Sequence, residues 1–218
     1  MAKPVASWMA DGGLLVKPEF SLPWGICDLV GVKFNPASEK KRLSYGQTKP
    51  VGPLARVHIL SRIPEFDSGR CVSLKKLEKE FSLHVPSDVL RQEIHFLVRD
   101  RFVRSPRRGF FHKLNGWAPL HARIVAVELK LSRFSEAVNQ AIANRAFATH
   151  SYIALPADLA ARIVQSNQRH ALIQGGIGLL AVSEHSCRKV LEGSAKDFAY
   201  NDILQAYVAE RFWRTRDS

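Results

Sequence analysis

Cysteine is scarce and scattered in this chain. Cys27, Cys71 and Cys187 are odd in number, far apart and never spaced as CxxC. That argues against a structural zinc site and for a reducing, cytoplasmic setting. Long apolar runs are missing too, since nothing approaches the roughly 18 unbroken apolar residues of a membrane span. The first residues, MAKPVASWMADGG, hold one lysine and no sustained apolar stretch, so no secretory leader is expected there. Acids are outnumbered: 20 Asp and Glu face 32 Lys and Arg, a net charge of +12. Such a balance favours a polyanionic partner, most simply nucleic acid, over an acidic membrane surface. Internal repeats and a GK[ST] phosphate loop are also absent; Gly175–Gly176–Ile177–Gly178 reads as a turn into a strand. His185 and Cys187 are two potential ligands, too few for a metal site.

What is present is a chain of 218 residues, 46% hydrophobic, long enough for one domain with an insertion or two small ones. Its organising stretch is 124–155. IVAVELK (124–130) is Val- and Ile-rich and suits a strand buried on both faces. Alternation puts Glu128 and Lys130 on one side with Ile124 and Ala126. An acid and a base thus end a buried strand, where unpaired charge costs several kcal/mol. A helix follows, with Ser132 as N-cap and Phe134, Val138, Ala141, Ile142 and Phe147 at helical spacing. His150 to Pro156 returns as a strand, so the order predicts a parallel crossover with ligands bound at the carboxyl ends of the strands.

Residues 13–34 read as two strands joined at Pro23–Trp24–Gly25. The second is apolar except for Asp28, which shares a face with Ile26, Val30 and Val32; Glu19, at the end of the first, is a possible neighbour or a surface acid. Residues 35–50 are polar and basic and read as a linker. From Pro53 three short helices are expected: a Leu54, Val57, Leu60, Ile63 stripe; Leu74, Leu77, Phe81 after Ser73 as N-cap; and a helix from Ser87 with Leu90, Ile94, Leu97 and Val98 inward. A basic strand–turn–strand closes this stretch. Residues 39–113 hold about nine of the twelve excess positive charges. A linker at Gly116–Pro119 leads back to the core. Beyond Pro156 come a helix, a strand (GGIGLLAVS), a short strand at Arg188–Leu191 and a last helix from about Lys196 to Trp213. The apolar stripe of that last helix, Ile203, Leu204, Tyr207, Val208 and Phe212, either completes the core or meets a second subunit.

Three helices followed by a basic hairpin resemble a winged helix-turn-helix module, over residues 51–115. The resemblance implies that the third helix enters the major groove with Arg91, Gln92, His95 and Arg99, and that Arg104, Arg107 and Arg108 arm a wing on the phosphates. Arginine suits guanine edges and phosphates alike because its fork donates two hydrogen bonds.

With that insertion set aside, an aspartate strand (Asp28), an ExK strand (Glu128–Leu129–Lys130), a helix bearing Gln140 and a further strand resemble the PD-(D/E)xK nuclease superfamily. The resemblance covers residues 1–35 and 118–218. Glu39–Lys40–Lys41 also spells ExK, but in a hydrophilic stretch; only Glu128–Lys130 has the buried strand context. Cys27 stands where the family has proline, and the N-terminal helix, around Pro4 to Met9, is at best one or two turns.

The resemblance implies an α/β restriction-endonuclease-like mixed sheet flanked by helices, with the winged helix inserted. It implies that Asp28, Glu128 and the Leu129 carbonyl hold Mg2+ or Mn2+, that Lys130 orients the attacking water, and that Gln140 faces the site. The expected activity is metal-dependent endonuclease cleavage of DNA, duplex most simply, by a cytoplasmic protein that is a monomer or a homodimer. The alternatives are an inactive DNA-binding regulator on the same fold and a structure-specific or RNA-directed nuclease.

Overall fold

The computed structural model of the chain describes residues 1–114, 117–194 and 201–213. The chain divides into two units, Met1–Lys33 with His121–Gln205, and Phe34–Leu120 with Ala206–Ser218. In chain order the elements begin with α1 (Ala2–Asp11), β1 (Leu15–Leu22), β2 (Gly25–Phe34), α2 (Pro36–Ser44) and α3 (Leu54–Arg62). A 3-10 turn (Phe66–Ser68) leads to β3 (Val72–Ser73), α4 (Leu74–Phe81), α5 (Ser87–Arg99), β4 (Val103–Arg107) and β5 (Phe110–Lys113). Then come β6 (His121–Leu129), α6 (Phe134–Asn144), β7 (His150–Pro156), α7 (Ala157–Gln165) and α8 (Gln168–Gly175). The last are β8 (Gly178–Val182), β9 (Cys187–Leu191) and α9 (Asp202–Trp213). No helix among the described residues is long and apolar enough to cross a membrane.

The first unit is built on a six-stranded mixed sheet in the order β1-β2-β6-β7-β8-β9. β1 and β2 form an antiparallel hairpin, β6, β7 and β8 run parallel, and β9 turns back antiparallel on β8. The Val- and Ile-rich β6 is central because both its faces are covered, which is what a continuous apolar run allows. Val125 and Val127 pack with Val5 and Met9 of α1 on one face. On the other, Ala137, Val138 and Ala141 of α6, Ile163 of α7 and Leu172 of α8 cover Ile153, Leu155 and Leu179. At Gly31 a Cβ would lie 2.7 Å from Met9 Cε and 3.1 Å from Leu14 Cβ, so the glycine leaves room for these two side chains against the sheet.

Several expectations fail here for local reasons. α1 has 10 residues, not one or two turns; Pro4 sits in its first turn, where a missing N–H costs nothing. α6 is capped by Arg133 in the left-handed region (φ 57°), not by Ser132. Phe147 lies past the helix end, and Ile142 is 38% exposed. The sequence pattern predicts no second helix before β8, yet α8 is there. It is a polar helix ending at Gly176 (φ 64°), so the first two glycines of the Gly175–Gly178 run stop a helix rather than only starting a strand.

In the second unit, residues 36–44 are helix, not linker. Asn35 Oδ1 accepts from Ala37 N (3.0 Å) and Ser38 N (3.3 Å), and Pro36 opens the first turn. Glu39, Lys40 and Lys41 therefore lie on α2. Ser73 caps α4 as expected, accepting from Lys76 N at 3.2 Å. Leu90, Ile94 and Leu97 of α5 are buried, but Val98 is 36% exposed and does not face inward. β3, β5 and β4 form an antiparallel sheet in that order. Gly109 (φ 76°) makes the tight β4–β5 turn, a conformation open to glycine at no steric cost. Residues 117–119 of the expected linker have no regular structure, and Gly116 lies outside the described residues. α9 starts at Asp202; Lys196 lies outside the described residues as well. Val208, Phe212 and Trp213 of α9 are fully buried and belong to the core of this unit, whereas Ile203, Leu204 and Tyr207 of the expected stripe are half-buried.

Candidate active site

Asp28 and Glu128, a hundred residues apart in the chain, meet because β2 and β6 are neighbours in the sheet. Asp28 Oδ2 accepts the backbone N–H of Leu129 at 2.7 Å. Glu128 is 3% exposed, at the carboxyl end of β6. Its Oε1 accepts from Asn144 Nδ2 at 2.7 Å, and the same nitrogen lies 3.5 Å from Cys27 Sγ.

Burial pushes the Glu128 carboxyl above its ordinary range, the Asn144 hydrogen bond pulls it back, and the Asp28 charge pushes it up again. Smaller downward pulls come from the Cys27 thiol and the Lys130 ammonium. Cys27 is itself buried, and its thiol is pushed far up by burial and then by the Glu128 charge. It donates to the carbonyls of Leu29 (3.4 Å) and Val127 (3.8 Å) and is no nucleophile.

Lys130 Nζ lies 3.5 Å from Glu136 Oε1 in the first turn of α6, and Arg133 reaches the same carboxylate. Gln140 is half-buried, with its Oε1 enclosed and without a hydrogen-bond partner. Glu19 is exposed, in the left-handed region (φ 46°).

Among the described residues, no group of three or more His, Cys, Asp or Glu side chains is arranged to hold a metal ion. The oxygen acceptors carried by these elements are the Asp28 and Glu128 carboxylates, the Leu129 carbonyl and the Gln140 side-chain oxygen. Magnesium binds through one or two carboxylates with waters and substrate phosphates completing its shell. Oxygen donors are the type a hard divalent cation takes.

Compared with protein families, curated proteins and solved structures, the chain gave no match.

In the second unit, Arg91, Gln92, His95 and Arg99 are exposed on α5, and Arg104, Arg107 and Arg108 are exposed on the β4–β5 hairpin. Two of these are already engaged: Arg91 donates to Glu78 Oε1 (2.7 Å), and Arg99 grips Asp100 at 2.9 and 2.8 Å. Arg107 lies 3.8 Å from the Phe110 ring centroid. Leu74, Arg91, Ile94, His95, Val98, Ser105 and Phe111 line an open groove of about 300 Å³ between α5 and the hairpin. Sequence reasoning missed Asn144. Its signal was present, four residues after Gln140 and so on the same helical face, as a polar residue among the buried alanines of α6.

Proposed function

We propose that the chain is a metal-dependent nuclease of the PD-(D/E)xK type that hydrolyses phosphodiester bonds in DNA, carrying an inserted winged-helix module that binds the duplex. The observation that carries this reading is the pairing of Asp28 with Glu128. Two like charges are held together at a strand end, one buried, with a neutral amide and not a basic side chain as the buried acid's hydrogen-bond partner. Packing alone does not favour such an arrangement, because burial already raises the Glu128 carboxyl and the Asp28 charge adds to that rise. A divalent cation relieves that repulsion.

Asp28, Glu128 and the Leu129 carbonyl would hold the cation, and Gln140 would offer a further acceptor. When bound, the cation stabilises charge on the scissile phosphate and acidifies a coordinated water. Glu128 must be ionised to take part, so metal affinity rises with pH. Lys130 orients the attacking water and offsets charge in the transition state, which requires it to leave Glu136, a half-exposed partner that releases it at little cost. The helix–strand–helix–helix–strand–strand order of α3 to β5, and the exposed arginines on α5 and the hairpin, support the DNA-binding half of the reading.

The second reading, a DNA-binding regulator on an inactive nuclease-like core, has its own observation: among the described residues, no three His, Cys, Asp or Glu side chains are arranged to hold a metal ion. One assay separates the two. Duplex, single-stranded and branched DNA, and RNA, are incubated with and without Mg2+. Magnesium-dependent cutting that disappears in Asp28→Ala and Glu128→Ala is expected. Cutting unchanged in both variants, or DNA binding with no cutting at any metal concentration, removes the nuclease assignment.

A further inference from the structure

Glu128 needs only one of its oxygens to bind a cation in the reading above, on which this inference rests. The other is committed: Asn144 Nδ2 donates to Oε1 at 2.7 Å, from a side chain that is only 7% exposed. Asn144 is the last residue of α6, on the same face as Gln140 one turn earlier. Its nitrogen also lies 3.5 Å from Cys27 Sγ, on the strand that carries Asp28. One amide thus ties the crossover helix to both acid-bearing strands.

The chemistry of the partner matters. An arginine or lysine at this position would hold Glu128 as firmly, but its charge would compete with a divalent cation for the same carboxylate. An amide fixes the rotamer and leaves the full negative charge available. A purely structural role would need neither property, because an apolar pair of the same volume packs a core at least as well. We infer that Asn144 is the positioning residue for Glu128, locking one oxygen so that the other is presented to a hard divalent cation, Mg2+ or Mn2+.

The test uses the full chain and Mn2+ alone as the probe, with binding measured by calorimetry, alongside Mg2+ titration of duplex cleavage. Asn144→Leu keeps the volume and removes the donor. It is expected to weaken Mn2+ binding and raise the half-saturating Mg2+ by about 10–100-fold, with metal-free DNA affinity unchanged and much of the maximal rate regained at high Mg2+. If Asn144→Leu does not melt cooperatively, a length exchange decides. Glu128→Asp alone should bind Mn2+ weakly, and adding Asn144→Gln, which lengthens the amide as the acid is shortened, should recover a large part of the affinity. A folded Asn144→Leu variant within twofold of the unsubstituted protein, or no recovery in the exchanged pair, overturns the inference while leaving the nuclease reading standing. An unsubstituted protein that neither binds Mn2+ nor cuts ends both.

Discussion

Each unit of this protein buries a glutamate near the end of an element, and the two are treated in opposite ways. Glu210, on α9 in the second unit, is 2% exposed and fully answered. Arg42 donates to both its oxygens, at 2.5 and 2.9 Å, and Val51 N–H adds a third bond at 2.7 Å. The guanidinium lies 4.4 Å from the Trp213 ring centroid and 5.0 Å from that of Phe102, and its remaining N–H groups reach the carbonyls of Gln47 and Lys49. Glu128, in the first unit, is buried to a similar degree but receives a neutral amide and faces another acid. Buried charge that is paired and hydrogen-bonded serves the fold; buried charge held by neutral groups beside its own kind costs the fold something.

The largest effect expected from this contrast is on the paired side. Arg42→Ala leaves Glu210 buried without a counter-charge and should cost about 3–5 kcal/mol, read as a fall in urea midpoint and Tm. Arg42→Met combined with Glu210→Leu should recover most of the loss, since the pair's value is not having one half stranded. A single substitution costing under ~1 kcal/mol would show that Glu210 is not held as described and would erase the comparison.

On the other side the sign reverses. Glu128→Gln keeps an acceptor for Asn144 and removes the charge. The folded-state pKa of Glu128 is raised, so its contribution to stability is fully present below the ordinary glutamate value of about 4.3 and is lost as pH rises through the folded value. The variant should therefore match the parent near pH 4 and exceed it at pH 7–8. A gain on the order of 1 kcal/mol raises Tm by ~2–4 °C in a chain of this size. The same variant should lose Mg2+-dependent cutting. Equal melting curves at pH 4 and pH 8 would mean that the carboxylate pays no burial penalty.

How much of this was legible follows from what each signal depends on. The β6–α6–β7 run declared itself through period and composition, because a strand covered on both faces must be apolar throughout. Asp28 stood out for the same reason, as a lone charge in such a run. α2 and α8 stayed hidden because neither has a strong apolar stripe; Asn35–Pro36 was a readable helix start, but the charges after it looked like solvated loop. Arg42 was one more basic residue in that stretch, and nothing local announced a partner 168 positions away. Asn144 was missed because a polar residue on a buried helical face shows that it needs a partner but does not say which residue that partner is. Pairings that are distant in the chain and specific in geometry are the part a single sequence keeps to itself.

The exposed arginines extend the contrast to the surface, at smaller magnitude. Arg91 and Arg99 already share carboxylates with Glu78 and Asp100, whereas Arg104 and Arg108 stand exposed on the hairpin. Arg104→Ala and Arg108→Ala should each weaken duplex binding and lower the slope of affinity against salt by about 1. Arg91→Ala should act mainly on sequence preference. An unchanged salt slope in both hairpin variants would take the wing out of the DNA interface.

The smallest effect expected concerns Lys130. Its partner Glu136 is 45% exposed at the side chain, so the ion pair should be worth at most ~1 kcal/mol. Glu136→Gln should leave Tm within a degree or two while freeing the ammonium. If Lys130 acts on the attacking water, the variant should cut duplex DNA as fast as the parent or modestly faster, with the same Mg2+ requirement. A loss of cutting with stability intact would assign the work to the Lys130–Glu136 pair and not to the lysine, and Glu136 would then join Asp28 and Glu128 as a third acid of the site.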